Sequence, residues 1–148
     1  MGNFDDSYRK GWDDLGFYYE HDDDLKRWTF VGDIQGLNRF SEILKGYTNE
    51  LNNQGLSEHM HLGPQEYLKV ITWNTPYIGN DGIYGSFDDL IRLADIFSTK
   101  LSKGQDFVID ADYSKSNKAH LQVIIKENGF DPSTFDTSIN KTDQVSPI

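Results

Sequence analysis

Two stretches of apolar residues at helical spacing, set among short alternating runs, constrain this chain more than any other feature. The first follows Asp33, a helix-capping residue type, and carries Leu37, Phe40, Ile43, Leu44, Tyr47 and Leu51 before Asn52-Asn53-Gln54-Gly55 ends it. The second follows Ser86, with Asp89 placed for a capping box, and carries Phe87, Leu90, Ile91, Ala94, Phe97 and Leu101 as far as Lys103-Gly104. Around them lie β-type segments: residues 26–31, Leu56, Met60 and Leu62 in alternation, residues 66–73, Tyr77-Ile78 and Ile83-Tyr84 flanking Asn80-Asp81-Gly82, residues 106–112, and Leu121, Val123 and Ile125. Two helices are too few to supply the crossovers of a fully parallel sheet. The expectation is an α+β fold, a mainly antiparallel sheet of about five to six strands with two amphipathic helices packed on one face.

With 148 residues, nine Phe, eight Tyr and three Trp, the chain suits one soluble domain with a real core. Residues 1–24 read as an acidic, aromatic N-terminal extension. Its Trp and Tyr side chains, Tyr8, Trp12, Tyr18 and Tyr19, are expected to dock on the domain, with a strand around residues 16–20. Residues 25–136 form the expected single α+β domain, and residues 137–148 read as a frayed tail. The absence of Cys removes disulfide frameworks, thiolate metal sites and thiol nucleophiles. No apolar run approaches the roughly 20 residues of a membrane span, and the N-terminus has no basic region followed by an apolar stretch. A cytoplasmic protein is expected. The net charge of −10 disfavours nucleic acid and anionic membranes and favours a basic protein partner.

Three groups of residues could carry chemistry. His59 and His61 would share one face of a strand, where two imidazoles can approach one metal ion. A catalytic zinc site takes three protein ligands, and nothing in the sequence places His21 or His120 nearby, so the rings read first as hydrogen-bonded groups on a half-buried sheet face. Asp110 and Asp112 would likewise share a strand face, as acid/base groups or as plain surface acids. No glycine-rich phosphate loop or nucleophile elbow accompanies either pair, so no catalytic residue and no cofactor is expected. The third group is Trp73, Tyr77, Asp81, Tyr84, Asp88 and Asp89, aromatic anchors among acids and the expected partner-binding surface.

Several of these pieces together resemble a known pattern. Gly32-Asp33-x-x-Gly36-Leu37 enters a helix; His59-x-His61-Leu62-Gly63-Pro64 is followed by Tyr67-Leu68 and Thr72-Trp73; then come Gly85-Ser86-x-Asp88-Asp89-Leu90 and Asn128-Gly129-Phe130-Asp131-Pro132. Over about residues 28–136 the chain resembles a family of small bacterial immunity proteins encoded beside polymorphic or contact-dependent toxins. The resemblance implies a non-enzymatic antidote that binds a cognate toxin domain, often a nuclease, inside the producing cell, and it transfers no catalytic residues. A basic nuclease surface would attract an acidic inhibitor, in agreement with the independent charge argument. The alternatives are a metal-dependent hydrolase using His59 and His61, and an acidic adaptor outside toxin systems.

Overall fold

The computed structural model describes residues 3–139, with side chains from residue 6 onward. In chain order these form α1 (Asn3–Leu15), β1 (Tyr18–Asp22), β2 (Arg27–Gly32), α2 (Ile34–Thr48), a 3-10 turn (Leu51–Gln54), β3 (His59–Leu62) and β4 (Leu68–Thr72). There follow β5 (Tyr77–Ile78), β6 (Gly82–Gly85), α3 (Phe87–Leu101), β7 (Phe107–Ile109), β8 (His120–Ile125) and a second 3-10 turn (Pro132–Phe135). The fold is α+β.

The expected single sheet is two four-stranded mixed sheets, ordered β1-β2-β8-β7 and β3-β4-β6-β5. Both follow one plan: an antiparallel pair, a central parallel pair (β2–β8 and β4–β6), and a second antiparallel pair. The second sheet is nested in the chain between β2 and β8 of the first. The division arises because β2 pairs with β8, residue Arg27 opposite His120, rather than with the β3–β4 hairpin that follows it. The sheets meet at β5, where the Lys118 and Ala119 N–H groups donate to the Ile78 carbonyl and the Trp28 indole donates to the Gly79 carbonyl at 2.8 Å.

The helical stripes fold as their spacing predicts except at two positions: α2 ends at Thr48 and leaves Leu51 exposed in the 3-10 turn, and Ile91 of α3 faces solvent. Asp33 accepts the Gly36 N–H at 2.7 Å to cap α2, and Ser86 and Asp89 form a reciprocal capping box on α3, arrangements each worth about 1 kcal/mol. The two helices pack against each other through a polar seam: Ser41 Oγ donates to the Ala94 carbonyl and Ser98 Oγ to Ser41 Oγ, at 3.0 and 2.9 Å. Leu37, Phe40, Leu44, Leu90, Leu93 and Phe97 are fully buried beneath them.

The N-terminal segment carries a third helix, and it belongs to the core. Trp12, Phe17 and Tyr19 are fully buried, and β1 supplies an edge strand of the first sheet. Two glycines receive this segment. A Cβ on Gly36 would stand 2.0 Å from the Gly16 carbonyl oxygen, and Gly63, at φ +78°, lies against the Tyr19 ring, where a Cβ would come within 2.8 Å. At the other end Trp12 Nε1 donates to the buried Asp136 carboxylate at 2.9 Å, and Ile139 of the expected tail is packed into the core, while Thr137 and Ser138 are exposed. Residues 140–148 of that tail lie outside the described residues.

Candidate partner-binding face

Strand parity builds this face. Met60, Leu62, Leu68, Val70 and Ile83 turn inward, so their neighbours His59, His61, Lys69, Ile71 and Tyr84 turn to the outer side of the second sheet. The register then lines up one cross-strand row, His59 opposite Ile71, Ile71 opposite Tyr84, and Tyr84 opposite Tyr77. Trp73, two residues beyond Ile71, continues the same parity.

The aromatic residues of the row hold one another. Tyr77 and Tyr84 stack with ring centroids 4.3 Å apart and planes 8° from parallel, and Trp73 meets Tyr84 edge-on at 6.5 Å. The Tyr84 hydroxyl donates to the Asp81 carboxylate, with O···O distances of 3.0 and 2.8 Å. Burial, reinforced by the Asp81 carboxylate, pushes the Tyr84 phenol above its ordinary pKa, so it stays a neutral donor. The Lys118 ammonium sits 5.1 Å from the Tyr77 ring centre, a cation–π contact. Gly82 permits the close pairing of β6 with β4, since a Cβ there would fall 2.2 Å from the Lys69 carbonyl oxygen.

Trp73, Tyr77, Asp81 and Tyr84 therefore form one contiguous cluster. Trp73, Tyr77 and Tyr84 are half-buried, and Asp81 is exposed. Asp88 is exposed and lines a groove of about 490 Å³ with Trp73, Thr72, Leu56 and Phe87. Asp89 is occupied otherwise: its carboxylate accepts the Ser86 N–H and hydroxyl at 3.1 and 2.9 Å and lies 3.6 Å from Arg92. It shapes the start of α3.

His59 and His61 join this face at its β3 edge, which the local sequence did not reveal because it depends on the β3–β4 register. Both are exposed, rather than half-buried as expected, and their ring centroids lie 5.1 Å apart. Nδ1 of His59 is 3.0 Å from the Ser57 carbonyl oxygen, and Nδ1 of His61 is 2.6 Å from that of Glu66. A third imidazole, His21, is nearly buried on the first sheet, between Asp23, Asn80 and the Trp28 ring. Among the described residues no group of three or more His, Cys, Asp or Glu side chains is placed to hold a metal ion.

Asp110 and Asp112 do not share a strand face, because β7 ends at Ile109. The Asp112 carboxylate accepts the Asp110 N–H at 2.7 Å and ends the ladder in a turn, while Lys100 holds its other oxygen at 3.2 Å. Asp110 accepts from the Asn117 amide at 3.1 Å. Both acids are used in building the loop between β7 and β8. Among the described residues no helix is long and apolar enough to cross a membrane.

Compared with family models, curated proteins and solved structures, the chain matches none. The likeness to immunity proteins rests on its short sequence motifs.

Proposed function

We propose that this protein is a cytoplasmic immunity protein that neutralises a cognate toxin domain, such as a nuclease, by stoichiometric binding through the outer face of its second sheet. The observation that carries this reading is the Trp73–Tyr84–Tyr77 cluster, two stacked tyrosines with Trp73 edge-on, half-buried in the free chain and bordered by Asp81 and Asp88. Tyr and Trp supply large contact area at little conformational cost and dominate the energetics of protein interfaces. The stack is also pre-ordered, so little side-chain freedom is lost on docking.

The net charge of −10 supports a basic partner, whose approach it would steer and whose nucleic-acid-binding surface it would complement. A standard interface of about 1,600 Å² in total would extend well beyond the cluster, into the Trp73 groove on one side and towards the β3 edge on the other. The hydrolase alternative draws on His59 and His61 alone, and the adaptor alternative predicts the same face with a different partner.

The test is co-purification of the chain with the polypeptide encoded immediately beside it, at two salt concentrations, with survival of toxin-expressing cells as the functional readout. A 1:1 complex weakened by salt, together with protection, is the expected result. A neighbour that is neither bound nor neutralised would overturn the reading.

A further inference from the structure

The His59–His61 pair has a feature that partner binding does not use. A carbonyl oxygen can only accept a hydrogen bond, so the contacts to Ser57 and Glu66 place a proton on Nδ1 of each ring. In the neutral imidazole that leaves the lone pair on Nε2 of both rings. Metal-bound histidines are commonly set up in this way, with the non-ligating nitrogen donating to a backbone carbonyl that fixes tautomer and ring orientation.

The spacing admits one ion once both Nε2 atoms turn towards it from rings that stand 78° apart. With metal–nitrogen bonds of about 2.0–2.1 Å and a ring centre about 1.2 Å beyond each nitrogen, each centre lies about 3.2 Å from a shared ion. Two centres 5.1 Å apart then subtend about 105° at the ion, between the square-planar and tetrahedral angles. The four-residue strand is held in register by β4, so the two Cα positions are already fixed. Both side chains are exposed and open to a hydrated ion. The like charges to consider are Lys69, opposite His61 in the register and lining a groove with His21, Asp23 and Asp81, and Lys10, which shares a groove with His61 and Glu66 and pairs with Asp14 at 3.1 Å.

We propose that His59 and His61 form a two-imidazole binding site for a late first-row divalent transition ion, taken up through both Nε2 atoms with water completing the coordination. Imidazole nitrogen and the general affinity order place Cu²⁺ first, ahead of Ni²⁺ and Zn²⁺. The site is independent of the immunity reading and makes no claim of hydrolysis.

The experiment titrates the untagged full-length protein with Cu²⁺ in a non-coordinating buffer, followed by calorimetry and electron paramagnetic resonance. It compares the wild type with His59→Ala, His61→Ala and the double variant, each checked by circular dichroism. One Cu²⁺ per chain with two imidazole nitrogens in the spectrum is expected, lost in the double variant. Each single variant should weaken binding by more than about tenfold, since removing even the outer-shell partner of a metal-bound His costs about 10–100-fold. Equal binding by wild type and double variant, or no binding by the wild type, would overturn the proposal. A measurement on the unaltered, metal-free protein serves independently of any variant. Imidazole ¹⁵N spectra should find Nδ1 protonated in both rings, and the opposite tautomer in either would overturn it.

Discussion

The two sheets share one strand plan and treat the same residue types in opposite ways. In the first sheet Trp28, Tyr19 and Phe30 are fully buried, and His21 is nearly so, clamped between Asp23, Asn80 and the Trp28 ring. In the second, Trp73, Tyr77 and Tyr84 are half-buried and His59 and His61 are exposed. The difference lies in what packs on these rings. Trp12 of α1 lies against Tyr18 and Tyr19 of the first sheet, whereas in the second Tyr77 and Tyr84 stack on one another, with Ile71 opposite Tyr84 in the register. An aromatic residue is thus structural or available according to its sheet face, and composition cannot tell the two apart.

The comparison can be broken most severely in the first sheet. Trp28→Ala should cost about 3–5 kcal/mol in chemical denaturation, combining a large core cavity with an orphaned Gly79 carbonyl at the junction of the sheets. Trp12→Phe keeps most of the volume but removes the donor to buried Asp136, and about 1.5–3 kcal/mol should go with that charge-assisted bond. Trp73→Ala, the counterpart in the second sheet, should cost less than about 1.5 kcal/mol of stability while weakening partner binding by about 2 kcal/mol. A Trp73→Ala variant as unstable as Trp28→Ala would erase the distinction.

The smallest effect concerns Asp13 on α1. Asp13 is exposed, and partial desolvation, then the neighbouring Asp131 carboxylate, holds its pKa above the ordinary 3.8. The folded state therefore binds this proton more tightly than the unfolded state, and stability from this group falls as pH rises from 3.8 through the raised value. Asp13→Asn should slightly raise Tm at neutral pH, and the gain should vanish below pH 3.8. A gain that persists in acid would assign the effect to something other than ionisation.

Much of this fold was legible locally. The stripes and caps of α2 and α3, and the hairpin turning at Gly63-Pro64, are encoded within a few residues, so pattern alone finds them. Helix α1 was legible in the helical spacing of Phe4, Tyr8, Trp12 and Leu15, but the four aspartates and the low mean hydropathy of residues 3–15 read as an acidic extension instead. The split into two sheets was hidden because the pairing of Arg27 with His120 joins distant segments that carry no local signal. Asp110 and Asp112 misled because an aspartate alternating along a strand and one capturing a turn N–H read alike.

For the site, strand parity could have put Trp73 and Tyr84 each on the outer face of its own strand, but their adjacency, the arrival of Lys118 over Tyr77 and that of His59 at the row's end required the pairing. The motif that carries the resemblance has a structural use as well. Gly36 and Gly63 are two of the points where the N-terminal segment, outside the span of that resemblance, approaches the rest of the chain closely.

The measurement that bears most directly on the central claim is a binding titration of the neighbouring polypeptide against the wild type, Tyr77→Ala and Trp73→Ala, with Tm recorded for each. The account predicts a 1:1 complex with the wild type and about 30-fold weaker binding by either variant, with both still folded. Equal affinity across all three proteins would contradict the assignment of this face as the partner-binding surface.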